Sequence, residues 1–238
     1  MKHWYALALT LSCLTCQPHQ SIRGLIRTLL NRQSNITLSY AEQTTTQSTL
    51  LQALKTTNHT DFTHEPIQLF LATQALTRHS RYHHLVAYER DLLTSFAIFK
   101  DTPGYLETLH RILSHADQRE MVIGHGFEIA HALKLHMDPT TPERICAFNI
   151  QLADGQLTRR LDLETTDRFI ECKNCRFAQR YRSLIKQQLS DQAALIKKWN
   201  ALSQEDRPLE LHSKQPVPQS IQTWCHQHNI RVEIAKKP

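Results

Sequence analysis

Asp162, Glu171 and Lys173 stand close enough in the chain to act together, as two carboxylates and one ammonium. Around them, Arg159-Arg160-Leu161-Asp162-Leu163-Glu164 alternates polar and apolar residues, the period of a half-buried strand. Phe169-Ile170 restarts an apolar run after the polar turn Thr165-Thr166-Asp167. Successive side chains on a strand point to opposite faces, so Glu171 and Lys173 share one face while Cys172 looks the other way. Pairing across the turn sets Asp162 beside Glu171. Such a grouping is costly to bury unless a cation neutralises the acids, and hard divalent ions such as Mg²⁺ prefer carboxylate oxygen and water. A plainer reading makes Glu171 and Lys173 an exposed ion pair worth well below ~1 kcal/mol, and Asp162 an edge-strand charge that discourages aggregation. Glu164 and Asp167 are alternatives to Asp162, which is preferred because it belongs to the regular strand.

Asp162, eight intervening residues and then Glu171-x-Lys173 on a second strand resemble the active-site signature of the PD-(D/E)xK, or restriction-endonuclease-like, nuclease superfamily. The resemblance covers the C-terminal half. It implies an α/β (α+β) core in the order helix, three-stranded sheet, helix, strand, helix, strand. It also implies a metal-dependent nuclease that hydrolyses phosphodiester bonds of DNA, the favoured partner, or of RNA. In that family's terms Asp162 and Glu171 would hold Mg²⁺ or Mn²⁺ with the main-chain carbonyl of Cys172 nearby, and Lys173 would orient the attacking water or stabilise charge growing on the phosphate. An acid on the preceding helix is implied too. Gly126-Phe127-Glu128-Ile129-Ala130-His131-Ala132-Leu133 offers Glu128 as a metal ligand, direct or through water. Outside the resemblance, Glu128 is an acid near a helix N-terminus, worth ~0.5 kcal/mol. Arg176, Arg180 and Gln187, just after the Glu-x-Lys strand, are candidate nucleic-acid contacts. A non-catalytic protein of the same fold that binds nucleic acid or protein is the competing reading.

Composition permits this chemistry. The chain has 238 residues, 40% hydrophobic and 21% charged, with a formal charge of +6. A sizeable core can form and global disorder is excluded. The charge is uneven: from Lys173 to Asn200 the basic residues are Lys173, Arg176, Arg180, Arg182, Lys186, Lys197 and Lys198, against Asp191 alone. That excess reads either as a solvated helix face or as a phosphate-contacting one. Of six cysteines, Cys172-x-x-Cys175 with Cys146 and Cys225 raises the alternative of a zinc-binding module or redox pair, although a second paired spacing is missing and buried thiols are the default. A disulfide stays open for an exported protein. His125, His131 and His136 form no His-Glu-x-x-His zinc motif.

The elements that must position the site follow from pattern and turn chemistry. Met1-Lys2-His3 followed by the apolar run Trp4–Cys16 reads as a secretory signal peptide over residues 1–18, too short to span a bilayer. This would make the protein exported, periplasmic or secreted; a core helix there would leave it cytoplasmic. Ser12-Cys13 superficially resembles a lipoprotein cleavage site. Residues 19–116 form a helical region. Ser21–Arg32 is basic and amphipathic, with packing of its apolar face against the rest of the chain preferred over membrane contact, to which no other segment is suited, and further helices are expected over 48–56, 65–77, 81–100 and 104–116. Gln33–Thr49 is polar and threonine-rich and reads as a connecting segment. Arg78-His-Ser-Arg-Tyr-His83 has an Arg-and-His spacing seen in some helical metal-independent ribonucleases, which exposed helix polarity also explains. The nuclease-like region spans 117–238: a helix to His136, interrupted or restarted at Gly124-His-Gly126; strands over 144–153, 156–164 and 168–174; a long helix 178–202; then strand, helix and strand ending at Ile234. Asp154-Gly155 is a strong hairpin signal.

Overall fold

A computed structural model describes residues 22–30, 40–78 and 81–234. The predicted signal peptide and Ser12-Cys13 lie outside these residues. Among the described residues no helix is long and apolar enough to cross a membrane.

Among the described residues seven α-helices precede the sheet, with a 3-10 turn at His59–Phe62: α1 (Ile22–Leu30), α2 (Tyr40–Thr56), α3 (Ile67–Thr77), α4 (His83–Val86), α5 (Glu89–Phe99), α6 (Tyr105–Ser114) and α7 (Arg119–His136). α2 begins well inside the threonine-rich stretch expected to be a connector. Its hydroxyls explain the difference: Thr45, Thr46, Ser48 and Thr49 each donate to the carbonyl four residues back at 2.8–3.0 Å, so polar residues that usually compete with a helix are satisfied within it. Burial of Leu50, Leu51 and Leu54 then anchors the last turns. The single helix expected over 81–100 is divided into α4 and α5 at Ala87-Tyr88. α7 runs unbroken through Gly124-His-Gly126. A Cβ on Gly126 would lie 2.8 Å from the Tyr88 ring, so glycine here permits helix–helix approach instead of breaking the helix.

Five strands form one mixed sheet whose spatial order follows the chain. β1 (Ile145–Asp154), β2 (Leu157–Thr165) and β3 (Phe169–Lys173) run antiparallel in turn. Gly155, the first of two turn residues between β1 and β2, takes φ +58°, as a tight hairpin asks of that position. After α8 (Arg182–Ser203), β4 (Leu209–Ser213) lies parallel to β3, and after α9 (Gln219–Gln227), β5 (Arg231–Ile234) lies parallel to β4. The predicted order of elements in this half is present, with a short 3-10 turn at Gln179–Tyr181 before α8.

Helices cover both faces. The first core cluster runs from Leu25 through Leu109 and Ile129 to Phe148, Leu163, Ile170 and Cys172. The helical region therefore shares its interior with the sheet, and packing shows no break at the expected 116/117 boundary. The second cluster joins Leu161, Phe169, Leu209 and Leu211 to Ile185 and Leu189 of α8 and Ile221 and Cys225 of α9. β4 is buried along its whole length.

Gly104 fixes the junction of the two halves. It takes φ +76° at the start of α6, and a Cβ there would fall 1.9 Å from the Phe148 carbonyl oxygen, while the Phe148 N–H donates to the Pro103 carbonyl at 2.8 Å. Between α7 and β4 lies a polar seam: His131 Nε2 is 2.6 Å from His212 Nδ1, and His212 Nε2 is 2.8 Å from Glu210. Glu210 also meets Arg168 and Arg231, each at 3.1 Å. A carboxylate only accepts, so His212 Nε2 carries a proton toward Glu210. Burial first, and then His212, Lys134 and Arg168, push His131 down to about 3.

Gly104→Ala is expected to cost at least ~2 kcal/mol, from positive-φ strain plus backbone overlap, measured by denaturant unfolding. His131 sets an acid limit: below an unfolded imidazole value of about 6.5 the unfolded chain takes up a proton that the folded chain refuses until about 3. Stability should therefore fall as pH drops through that window, approaching ~1.4 kcal/mol per pH unit from this one proton, and His131→Gln should flatten the slope in unfolding measured at pH 7, 6, 5 and 4.

Candidate active site

β2 and β3 pair at Glu164/Phe169 and Leu163/Ile170. Continuing that register sets Asp162 opposite Glu171. There the contact changes character: Asp162 Oδ2 accepts the Cys172 backbone N–H at 2.7 Å, so a side chain of β2 takes a main-chain group of β3. Glu171 is 1% exposed. Lys173 Nζ donates to its Oε1, Gln188 Nε2 donates to the same oxygen at 2.7 Å, and Gln192 Nε2 donates to Oε2 at 2.7 Å. Both glutamines come from α8, one turn apart on the helix face that covers β3. Gln192 also donates to the Arg160 carbonyl at 2.7 Å, tying β2 to the same helix.

Glu128 enters from α7. It is buried, and His125, three residues earlier on the same helix, holds it through Nδ1 at 2.8 and 3.0 Å from its two oxygens. Asp162, Glu171, Glu128 and Lys173 all line one cleft of about 860 Å³, together with Arg119, Arg160, Arg176, Asn174, Cys175 and Gln188. The acids sit deep and the three arginines are exposed. Burial, followed by the negative charges of Glu171 and Glu128, holds the Asp162 carboxyl well above the usual carboxylate range, against the opposing pull of Lys173 and the Cys172 N–H. Burial opposes the charged form of Lys173, yet Glu171 and Asp162 outweigh it and raise the ammonium's pKa, so Lys173 is a cation at neutral pH. Burial also raises the Cys172 thiol well above its ordinary value, with Asp162, Glu128 and Glu171 adding to the effect.

Of the nucleic-acid contacts expected from sequence, Arg176 lines the cleft. Arg180 stacks over the Tyr181 ring, 4.6 Å from its centroid, on the 3-10 turn outside the lining. Gln187 lies outside the lining, exposed and donating to Asp191 at 2.8 Å, while the adjacent Gln188 faces Glu171. One residue is about 100° of helix rotation, enough to move a side chain from one face to the next. His125, Gln188 and Gln192 are the site residues missed in the sequence. The i,i+3 spacing of His125 and Glu128 was a usable signal for the first, and nothing short of α8's orientation identifies the glutamines.

The zinc reading of the cysteines does not fit. Cys172 packs in the first core cluster, Cys225 in the second against α8, and Cys146 lies at the start of β1, while Cys175 is exposed at the cleft. All four are free thiols, and no three of them converge on a common point. Nor, among the described residues, do three His, Cys, Asp or Glu side chains already converge as a ligand set. At the cleft Lys173 and two glutamines engage Glu171. The donor chemistry nevertheless suits a hard divalent ion: Asp162, Glu171 and Glu128 offer carboxylate oxygen, and the raised Asp162 carboxyl marks negative charge that one nearby ammonium does not balance.

Compared with protein-family models, with curated proteins and with solved structures, the chain gives no significant match. The test of the site is therefore its own electrostatics. Asp162→Asn keeps an acceptor for the Cys172 N–H while removing one of the crowded charges. It should raise stability at pH 7 by ~1 kcal/mol, read as a higher denaturation midpoint, and should abolish any upward melting shift that Mg²⁺ or Mn²⁺ produces in the unmodified protein.

Proposed function

We propose that the chain is a metal-dependent nuclease that hydrolyses phosphodiester bonds, with a restriction-endonuclease-like core built from α7, β1–β3, α8, β4, α9 and β5. One observation carries the reading: residues from α7, β2 and β3 place three carboxylates and an ammonium in one cleft rimmed by Arg119, Arg160 and Arg176. A purely structural ion pair needs neither the third acid nor the rim. The element order and the parallel addition of β4 to β3 support the same core.

Asp162, Glu171 and Glu128 would hold the ion, with the Cys172 carbonyl as the main-chain candidate. When bound, a divalent ion supplies charge neutralisation at phosphoryl oxygens and a more acidic water. Lys173 stays protonated and places a positive charge beside the reacting phosphate, where negative charge grows in the transition state. Gln188 and Gln192 fix the Glu171 carboxylate, and His125 fixes that of Glu128, so neither acid spends binding energy on reorientation. The rim arginines would bind the phosphates flanking the scissile one. DNA is the preferred substrate in this reading, and an exported toxin, effector or processing enzyme its setting.

Full engagement of Glu171 by Lys173, Gln188 and Gln192 favours a second reading, a non-catalytic binding protein in which these residues only hold β3 to α8. A panel of single- and double-stranded DNA and RNA, each with Mg²⁺ or Mn²⁺, separates the two. Cleavage that requires the ion and falls at least about a hundredfold in Lys173→Ala, with the circular dichroism spectrum unchanged, is the expected result. Binding to these polymers with no ion-dependent cleavage of any of them would select the second reading.

A further inference from the structure

The helical region carries a cavity of its own, about 480 Å³, lined by Ser48, Lys55, Arg81, Tyr82, His83, His84, Asp117 and Arg119 among others. Arg119 lines this cavity and the catalytic cleft alike, so the two open on the same stretch of α7. Among the described lining residues three cations, Lys55, Arg81 and Arg119, stand against the acid Asp117, which Lys55 engages at 2.8 Å, and Glu120 lies close enough to act on His84. Arg81 is anchored by donating to the Thr44 carbonyl and the Ser48 hydroxyl at 2.9 and 2.7 Å, and Arg119 is exposed at the mouth. Between these charges stand two imidazoles: the rings of His83 and His84 lie with centroids 3.7 Å apart and planes tilted by 53°, and His83 is exposed. Partial burial, His83 and Arg119 hold His84 below the usual imidazole range, so it presents a neutral ring at pH 7.

Cations interleaved with flat rings are the means by which proteins grip unpaired nucleotides, the charges taking phosphate and the rings stacking on bases. A paired duplex keeps its bases stacked inside and cannot use the rings. Glu128 lies nine residues along α7 from Arg119, about 14 Å of helix rise. That span corresponds to about four nucleotides at the ~3.4 Å rise of a stacked strand.

Building on the nuclease reading, we propose that this cavity is a second nucleic-acid station that holds a single-stranded tail about four nucleotides from the scissile phosphate, with Arg119 as the link and His83 and His84 as the stacking platform. The substrate class is thereby narrowed to polynucleotides with an unpaired stretch at the cleavage point. The helical region becomes part of substrate recognition.

The test is fluorescence anisotropy of the full chain, with divalent ions chelated, against end-labelled oligodeoxythymidylates and oligouridylates from about 3 to about 16 nucleotides and against a blunt DNA duplex. Affinity should rise about tenfold as the strand lengthens past about five nucleotides, and the blunt duplex should show no such gain. The double variant His83→Ala/His84→Ala should flatten the rise, and His84→Phe, which keeps a ring in place, should retain it; circular dichroism of each variant reports its fold. A rise unchanged by the double alanine variant, equal affinity at every length, or a duplex bound as tightly as the long single strand would each overturn the proposal. Ion-dependent cleavage by the unmodified protein is assayed alongside. Its absence would sink the nuclease reading while leaving the length dependence to decide the station.

Discussion

The structure turns on a carboxylate that has been taken out of water. Glu171 sits at 1% exposure near the end of a central strand, and it is tolerable there only because every oxygen has a donor: an ammonium two residues on and two amides from a helix formed much later in the chain. A buried carboxylate without such partners would cost several kcal/mol. That constraint dictates where α8 can dock and in what rotation, and through the Gln192 bond to the Arg160 carbonyl it also settles where β2 lies. Asp162 is less well compensated. Its raised pKa is the residue of a conflict that the fold keeps unresolved, and conflicts of this kind concentrate where proteins bind and react.

Much of the C-terminal half was legible because its signals are short-range. Alternation along Leu161 and Leu163, the Asp154-Gly155 turn and the β-α-β-α-β spacing each act within a few residues, and the sheet follows from them. The register that faces Asp162 to Glu171 is set by the turn between β2 and β3, again a local matter. What the sequence hid depends on partners far away in the chain. Gly126 suggests a helix break until the Tyr88 ring is placed against it, and the threonines of α2 suggest a loop until their hydroxyls are seen to bond within their own helix. Gln187 and Gln188 are chemically identical, and only the docking angle of α8 tells which one reaches the acid.

The seam His131–His212–Glu210 shows a second use of buried polarity on the opposite face of the sheet. His212 pairs in register with Cys172, so this seam lies one strand away from the candidate ligands. Here every shift runs toward a stable arrangement. Burial acts to raise Glu210, but the His212 hydrogen bond, Arg168 and Arg231 more than offset it and hold the carboxyl low, while His131 remains neutral. Two acids with only β3 between their strands thus have opposite fates, Glu210 held ionised and Asp162 pressed toward its protonated form. Asp162 is held up by deeper burial and by the adjacent acids Glu171 and Glu128, against which Lys173 is the chief cation, whereas His212, Arg168 and Arg231 outweigh the burial of Glu210.

The single interior shared by the helical region and the sheet bears on how the chain is made. Leu25 and Leu50 belong to the same apolar cluster as Leu163, Ile170 and Cys172. On a ribosome adding about 5–20 residues per second, the first of these waits roughly seven to thirty seconds for the last. Throughout that interval the helices carry an uncovered greasy surface, and a chaperone that shields nascent chains has its longest opportunity before β3 emerges.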